Sequence, residues 1–344
     1  MINCKTLSGD NCGVQAVIMT QQIAVYSVLH KLPSLLKAAL PQLQFHVVEH
    51  GAADALGALQ KAEIIIADGF LLSPIIHQLP NAKWIQCTYA GVENIVAAVD
   101  KTKLPLPFVM TRLTGDLFGV QMAEYVVSEI VNRERNLFTY YDYQKIAKWG
   151  KESFFPEVRT MMDLTIGIMG FGEIGKDIAR TLKSLRAEIW ALVRKIPEDK
   201  EKLAFVDNYR KVEDLPEFLQ KCDYVINVLP STPQTTGLLN ADLLKNCASK
   251  ETVFINIGRA SVVKEEDLIT ALENKWLSAA ILDVFEKEPL PPDNPLWKMP
   301  QVTVTPHISG ISRAKDIVKR FMENYEKYKN NKPLLNVVDF DKGY

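Results

Sequence analysis

The stretch TIGIMGFGEIG, Thr165–Gly175, decides the fold. Its first five residues are mostly apolar, which predicts a buried strand. A GxGxxG motif follows, and the amphipathic run Ile174–Leu185 comes directly after it. A strand, a glycine-rich turn and a helix in this order predict a dinucleotide-binding βαβ unit.

Each glycine of the motif has its own physical role. Gly170 allows the tight turn, Gly172 lets the backbone approach a pyrophosphate, and Gly175 lets the helix pack closely on the strand. The helix N-terminus presents its N–H groups to the phosphates. The alternative is a glycine-rich turn of an ordinary α/β domain. We predict that the whole motif contacts the dinucleotide: Gly170, Phe171, Gly172, Glu173, Ile174 and Gly175.

The end of the second strand, Val193-Arg194-Lys195, bears on the choice between NAD and NADP. Proteins that bind NAD place Asp or Glu there, about twenty residues past the glycines. A carboxylate would repel a 2′-phosphate, whereas Arg can bind it with two parallel hydrogen bonds. Arg194 and Lys195 as ordinary solvated charges are the alternative. The missing acid and the added cations favour NADP(H) over NAD(H).

Strand-like and helix-like runs alternate on both sides of the motif. Strands are predicted at Ile23–Leu29, Phe45–Val48, Ile64–Ala67, Trp84–Cys87, Thr165–Met169, Glu188–Val193, Tyr224–Leu229, Val253–Ile257, Ala279–Asp283 and Val302–Thr305. Further helices are predicted at Leu32–Leu40, Val120–Phe138, Glu265–Lys275 and Ala314–Tyr328. Apolar strands separated by helices predict parallel sheets with helices on both faces.

The length of 344 residues predicts two domains. We expect an α/β fold with a Rossmann-type, doubly wound dinucleotide domain over residues 113–311. A smaller, flavodoxin-like α/β substrate domain is expected to combine residues 1–112 and 312–344, because the last helix follows the second sheet and can fold back on the first.

Charge and cysteine usage exclude several classes of protein. A net charge of −1 gives no basic surface for nucleic acid and no reason to expect membrane binding. The five cysteines are scattered, without a CxxC pair or a Cys/His cluster, which indicates reduced thiols, no metal site and a cytoplasmic protein. The first 22 residues hold one Lys and no Arg and do not resemble a secretory signal; we assign them no role.

Three polar residues follow predicted strands of the second domain. Arg259 lies in NIGRA, Glu288 in LDVFEKEP and His307 in TPHIS. Ligands of doubly wound sheets bind at the carboxyl ends of the strands. Taken singly, each residue is more typical of a structural role than of a catalytic one.

The chain resembles the D-isomer-specific 2-hydroxyacid dehydrogenases over nearly its whole length. GFGEIG, NVLPSTPQTTGLL, NIGRA, LDVFEKEPLP and TPHIS occur in that family's order and at its spacing. The resemblance implies that Arg259, Glu288 and His307 are catalytic. It also implies backbone N–H groups of the turn Tyr89-Ala90-Gly91-Val92 on the substrate carboxylate, together with Arg259. Implied cofactor contacts are Leu229, Pro230, Ser231, Ile257, Gly258, Arg259, His307 and Asp283, the last on the nicotinamide carboxamide.

A narrower similarity is to the A-type glyoxylate/hydroxypyruvate reductases. It rests on Arg112-Leu113, Gln121–Tyr125, the stretch from Tyr143 to Trp149, Asn294–Trp297 and Gly343-Tyr344. It implies NADPH-dependent reduction of small 2-keto acids, such as glyoxylate and hydroxypyruvate, to D-2-hydroxy acids. It also implies a homodimer joined through the dinucleotide domains, with the aromatic-rich segment Val120–Val158 as an exchanged arm.

The residue types suit this chemistry. The planar fork of Arg259 can hold the carboxylate and carbonyl oxygens of a 2-keto acid. Hydride transfer to the carbonyl carbon leaves an oxygen that needs a proton, and His307 can supply it as a general acid. A carboxylate at Glu288 would favour the charged form of the imidazole.

Three other activities fit the same fold. A formate dehydrogenase would pair its His with Gln, so Glu288 argues against it. A 3-phosphoglycerate dehydrogenase is also possible, although no sequence remains for a regulatory domain. Some relatives are dinucleotide-sensing corepressors that retain the three catalytic residues, and the cations at Arg194 and Lys195 argue against that role. The preferred keto acid and the physiological direction stay open.

Overall fold

The computed structural model describes residues 22–150 and 158–343. Two parallel sheets organise these residues. The first sheet consists of β1 Ile23–Tyr26, β2 Phe45–Val47, β3 Ile64–Ala67, β4 Trp84–Cys87 and β5 Val109–Thr111. The second consists of β6 Thr165–Met169, β7 Glu188–Leu192, β8 Asn208–Arg210, β9 Tyr224–Asn227, β10 Val253–Asn256, β11 Ala279–Leu282 and β12 Val302–Val304.

The helices lie between the strands or after them. They are α1 Leu32–Ala39, α2 Ala55–Lys61, α3 Gly69–Leu72, α4 Glu93–Ala98, α5 Asp116–Glu134, α6 Leu137–Lys145, α7 Glu173–Ser184, α8 Leu215–Lys221, α9 Ala241–Leu244, α10 Glu265–Glu273 and α11 Ala314–Lys329. Within the described ranges, none of them is long and apolar enough to cross a membrane.

The strand orders identify both domain types. The first sheet has the order β2-β1-β3-β4-β5, the flavodoxin-like order. The second has the order β12-β11-β10-β9-β6-β7-β8, which is the Rossmann order extended by one strand. The predicted fold class is therefore confirmed. The strand order of the second sheet reverses next to β6, and the glycine motif follows that strand.

Both faces of the second sheet are buried, as expected for a parallel sheet. Alternate residues of one strand enter different cores: Ile255 belongs to the core that contains Ile178 of α7, whereas Phe254 belongs to the core that contains Phe218 of α8. Successive side chains of a strand point to opposite faces. The continuous apolar runs of the sequence are explained by this two-sided burial.

The structure differs from the sequence predictions at several element ends. The short strands β5 and β8 were not predicted; each has three residues at a sheet edge, too few for a periodic signal. The single helix predicted over Val120–Phe138 is wrong, because α5 and α6 are separated at Asn136, whose φ is 51°. Asn tolerates this left-handed conformation better than most residues. Strand β1 ends before Val28, whose N–H bonds to the Asp68 carboxylate.

Helix α11 packs on the first sheet. Phe321 is fully buried, and its ring stacks on Trp84 with centroids 5.0 Å apart. The Tyr328 hydroxyl donates to Glu63 at 2.9 Å. Beyond the helix, the N–H of Val338 bonds to the carbonyl of Met110 in β5. These contacts support our proposal that residues 1–112 and 312–344 form one domain and residues 113–311 the other. Of the first 22 residues, to which we assigned no role, residues 1–21 lie outside the described residues.

Replacing Phe321 by Ala should destabilise the first domain by about 3–5 kcal/mol, since it removes a buried ring and leaves a cavity. Urea unfolding measures the change. The control is Met322→Ala on the same helix, because Met322 is 37% exposed. Equal small losses in the two variants would contradict the docking of α11 on this domain.

Candidate active site

A cavity of about 740 Å³ lies at the carboxyl ends of the two sheets. Its size is typical of a small-molecule or cofactor site. Most of the predicted site residues line it: Tyr89, Ala90, Gly91, Gly170, Phe171, Gly172, Glu173, Ile174, Gly175, Arg194, Leu229, Pro230, Ile257, Gly258, Arg259 and His307. Four do not: Lys195, Ser231, Asp283 and Glu288. The individual roles of all these residues stay predictions.

The glycine loop has the geometry of a phosphate cradle. Gly170 has a φ of +98°, and a Cβ there would lie 2.9 Å from the backbone N of Leu229. A Cβ on Gly175 would lie 2.2 Å from the carbonyl oxygen of Gly170, so only glycine lets the helix approach this closely. In front of Gly172 nothing lies within 4 Å of such a Cβ. This space next to the N-terminus of α7 fits a pyrophosphate.

The predicted cofactor-binding residues after β7 and β9 differ in whether they line the cavity. The side chain of Arg194 is exposed and lines the cavity, whereas Lys195 is exposed away from the cavity wall. The hydroxyl of Ser231 lies 2.9 Å from that of Ser261. Of the two cations directly after β7, only Arg194 lines the cavity, and the predicted cofactor contacts of Arg194, Lys195 and Ser231 stay predictions.

Arg259 pairs with an acid that the sequence analysis did not single out. Its Nε donates to Oε1 of Glu93 at 2.8 Å, and its Nη2 donates to Oε2 at 3.1 Å. Burial opposes ionisation of Glu93, but the charge and hydrogen bonds of Arg259, with a further charge from Arg112, hold its pKa below the ordinary value. Glu93 directly follows the predicted substrate turn, which was its only signal in the sequence.

The substrate turn Tyr89–Val92 is fixed by the residues around it. Nη1 of Arg112 donates to the carbonyl of Ala90 at 2.8 Å, and the N–H of Leu113 donates to the carbonyl of Tyr89 at 3.1 Å. Thr88, just before the turn, hydrogen-bonds the buried Asp68 carboxylate. The backbone of the turn is therefore held in place before any ligand arrives.

His307 and Glu288 form the predicted pair. Nδ1 of His307 lies 2.8 Å from Oε2 of Glu288, and the other oxygen of Glu288 accepts the N–H of Phe285 at 3.0 Å. His307 lines the cavity and Glu288 does not, so the carboxylate lies behind the ring. The Nε2 atom is consequently the nitrogen that can exchange a proton with a ligand.

Asp283 anchors the segment that carries His307. Its buried carboxylate accepts the hydroxyl of Thr305 at 2.6 Å and the N–H groups of Ile308 and Ser309 at 2.8 Å each. The hydroxyl of Tyr125 lies 2.7 Å from that of Thr305 and extends the network to α5. These bonds give Asp283 a positioning role, and its predicted contact with the carboxamide stays a prediction.

The part of the chain that the structure describes contains no group of three or more His, Cys, Asp or Glu residues arranged to hold a metal ion. Its three cysteines, Cys87, Cys222 and Cys247, are free and buried. Burial raises the pKa of the Cys87 thiol to about 11. A thiol with so high a pKa is a poor nucleophile at neutral pH. The polar groups lining the cavity therefore carry the candidate chemistry.

A Rossmann domain and a glycine loop at a cavity lined by Arg259 and His307 are typical of a dinucleotide-dependent oxidoreductase. Residues 127–309 match the family model "D-isomer specific 2-hydroxyacid dehydrogenase, NAD binding domain". The chain is 34% identical over 258 residues to glyoxylate/hydroxypyruvate reductase A of Escherichia fergusonii, covering 74% of this chain and 80% of that protein. The chain belongs to the D-isomer specific 2-hydroxyacid dehydrogenase family and is an NAD(P)-dependent oxidoreductase, so the predicted family is confirmed.

Solved structures with cofactor are also similar. A D-isomer specific 2-hydroxyacid dehydrogenase from Xanthobacter autotrophicus Py2, in complex with NADPH and MES, has a TM-score of 0.79 and 29% identity, covering 94% of this chain and all of that one. An NADPH-dependent glyoxylate/hydroxypyruvate reductase from Sinorhizobium meliloti, in complex with NADP and sulfate, has a TM-score of 0.77 and 26% identity at the same coverage.

Proposed function

We propose that this protein uses NADPH to reduce small 2-keto acids, such as glyoxylate and hydroxypyruvate, to D-2-hydroxy acids. The observation that carries the proposal is the convergence of three features on one cavity: the glycine cradle, the guanidinium of Arg259 and the imidazole of His307. The reductases from Escherichia fergusonii and Sinorhizobium meliloti support the substrate class.

The side chains divide the reaction between them. Arg259 and the N–H groups of the substrate turn hold the carboxylate, and the guanidinium polarises the carbonyl. A bound nicotinamide supplies the hydride to the carbonyl carbon. His307 donates a proton from Nε2 to the carbonyl oxygen, and Glu288 at Nδ1 orients the ring.

The preference for NADPH rests on Arg194. This residue follows β7 and lines the cavity, where the adenosine ribose of a dinucleotide on the glycine cradle would lie. A guanidinium binds a phosphate bidentately, and Val193-Arg194-Lys195, directly after β7, contains no carboxylate to accept from a 2′-hydroxyl. We therefore infer that Arg194 contacts the 2′-phosphate.

A panel of glyoxylate, hydroxypyruvate, pyruvate and phenylpyruvate with NADPH or NADH tests the activity. We expect the fastest turnover for glyoxylate or hydroxypyruvate with NADPH.

In His307→Ala the chemical step should slow by about 10²- to 10⁴-fold, while the Kd of NADPH is retained, because the general acid is lost and the cradle is intact. For the wild-type protein, NADPH binding without turnover of any keto acid would instead favour the dinucleotide-sensing alternative.

Arg194→Asp should weaken NADPH binding by about 30-fold or more, because a charge-assisted phosphate contact of about 2 kcal/mol is lost and a repulsive charge is added. NADH binding should change far less. The control is Lys200→Asp, the same change of charge at an exposed residue that does not line the cavity. Equal losses for NADPH and NADH in Arg194→Asp would refute the phosphate contact.

We also propose a homodimer in which the segment Val120–Val158 is the exchanged arm; residues 151–157 of that arm lie outside the described residues. Its exposed apolar side chains support this assembly, with Phe138 at 56%, Tyr141 at 62%, Ile146 at 70% and Trp149 at 87% exposure. Apolar clusters of this kind usually mark interfaces. Light scattering at micromolar concentration should give the dimer mass, and a monomer would contradict it.

A cytoplasmic location belongs to the same proposal. The buried free thiols Cys87, Cys222 and Cys247 suit a reducing compartment, where disulfides are rare. Cell fractionation against a cytosolic marker checks the location.

A further inference from the structure

The hydrogen bonds of Arg259 use a defined subset of its donors. A guanidinium has five N–H bonds: one on Nε and two on each Nη. In the described chain, Nε and one N–H of Nη2 go to Glu93, and one N–H of Nη1 goes to the carbonyl of Gly258 at 2.7 Å. One N–H remains on Nη1 and one on Nη2. We call these two remaining donors, at the end of the guanidinium opposite Nε, the end-on fork.

The edge of Arg259 that faces Glu93 leaves no room for a substrate carboxylate between the guanidinium and Gly91. A Cβ built on Gly91 would lie 2.4 Å from Nη2 of Arg259 and 2.8 Å from Oε2 of Glu93. The backbone at Gly91 therefore already packs against this ion pair. A carboxylate ligand has to reach the guanidinium from another direction, and the end-on fork provides one.

The charges also favour a ligand that binds without displacing Glu93. Glu93 is ionised and about one-third exposed, so a displaced carboxylate would lose its partner and stand beside the incoming anion. Arg112 adds a second positive charge near Glu93.

We propose that Glu93 is a positioning residue: it grips the Nε–Nη2 edge of Arg259 and thereby directs the end-on fork to the carboxylate and carbonyl oxygens of the substrate. This inference rests on the proposed function for the identity of the substrate. Glu93 thereby adds a carboxylate from the first domain to Arg259, Glu288 and His307, the three residues of the second domain that the sequence predicts to be catalytic.

The experiment compares Glu93→Gln and Glu93→Asp with wild type, using glyoxylate with NADPH for kinetics. Gln keeps the size of the side chain but turns one acceptor oxygen into a donor, so the two-point grip on Arg259 is lost. We expect the KM for glyoxylate to rise about 10- to 100-fold, with a smaller fall in kcat. Asp keeps the charge and should restore part of the loss. The control is Glu266→Gln, an exposed acid on α10, which should leave both constants unchanged.

A binding measurement separates this inference from the proposed function. Oxalate, a dicarboxylate analogue of a 2-keto acid, is titrated into the NADPH-loaded protein and its Kd is followed by cofactor fluorescence. Weaker oxalate binding in Glu93→Gln, with unchanged Kd for NADPH, supports the positioning role even if no keto acid is turned over. Tighter oxalate binding or a lower KM in Glu93→Gln would mean that Glu93 competes with the substrate, and unchanged values would mean that it does not act on Arg259; either result overturns the inference.

Discussion

All strands of each sheet run parallel, so the carboxyl ends of each sheet lie along a single edge. This constraint brings the candidate catalytic and cofactor-binding residues to one place. The glycine loop follows β6, Arg194 follows β7, Arg259 follows β10 and His307 follows β12, and all line one cavity although they span more than a hundred residues of sequence. The first sheet brings the turn after β4 to the same cavity by the same rule.

Parallel sheets leave backbone groups beyond the strand ends without ladder partners, and both domains satisfy them with a buried aspartate. Asp68, after β3, accepts from Ser27, Val28 and Thr88. Asp283, after β11, accepts from Thr305, Ile308 and Ser309. Buried polar groups without partners are costly, so each carboxylate fixes the loops it bonds. The loops fixed in this way carry the substrate turn and His307.

An ion pair at the cavity links the two domains. Glu93 of the first domain bonds Arg259 of the second, and Glu288 bonds His307 within the second. The guanidinium of Arg259 and the imidazole of His307 thus each have a carboxylate partner. Preorganised charges of this kind need little rearrangement when a ligand binds, which is the main source of electrostatic catalysis.

The sequence by itself determined the two α/β domains, the positions of the ten predicted strands and the glycine cradle, because these depend on local periodicity and on residues adjacent in the chain. Motif order also gave the family. Only the tertiary structure decided the pairing of Glu93 with Arg259, since the two lie 166 residues apart and no local pattern links them. It likewise decided the helix break at Asn136 and the edge strands β5 and β8, which are too short to give a periodic signal. The tertiary structure also decided which groups Asp283 bonds. Asp283 was assigned a role from its motif, but the backbone N–H groups that it accepts from are set by the side-by-side packing of β11 and β12.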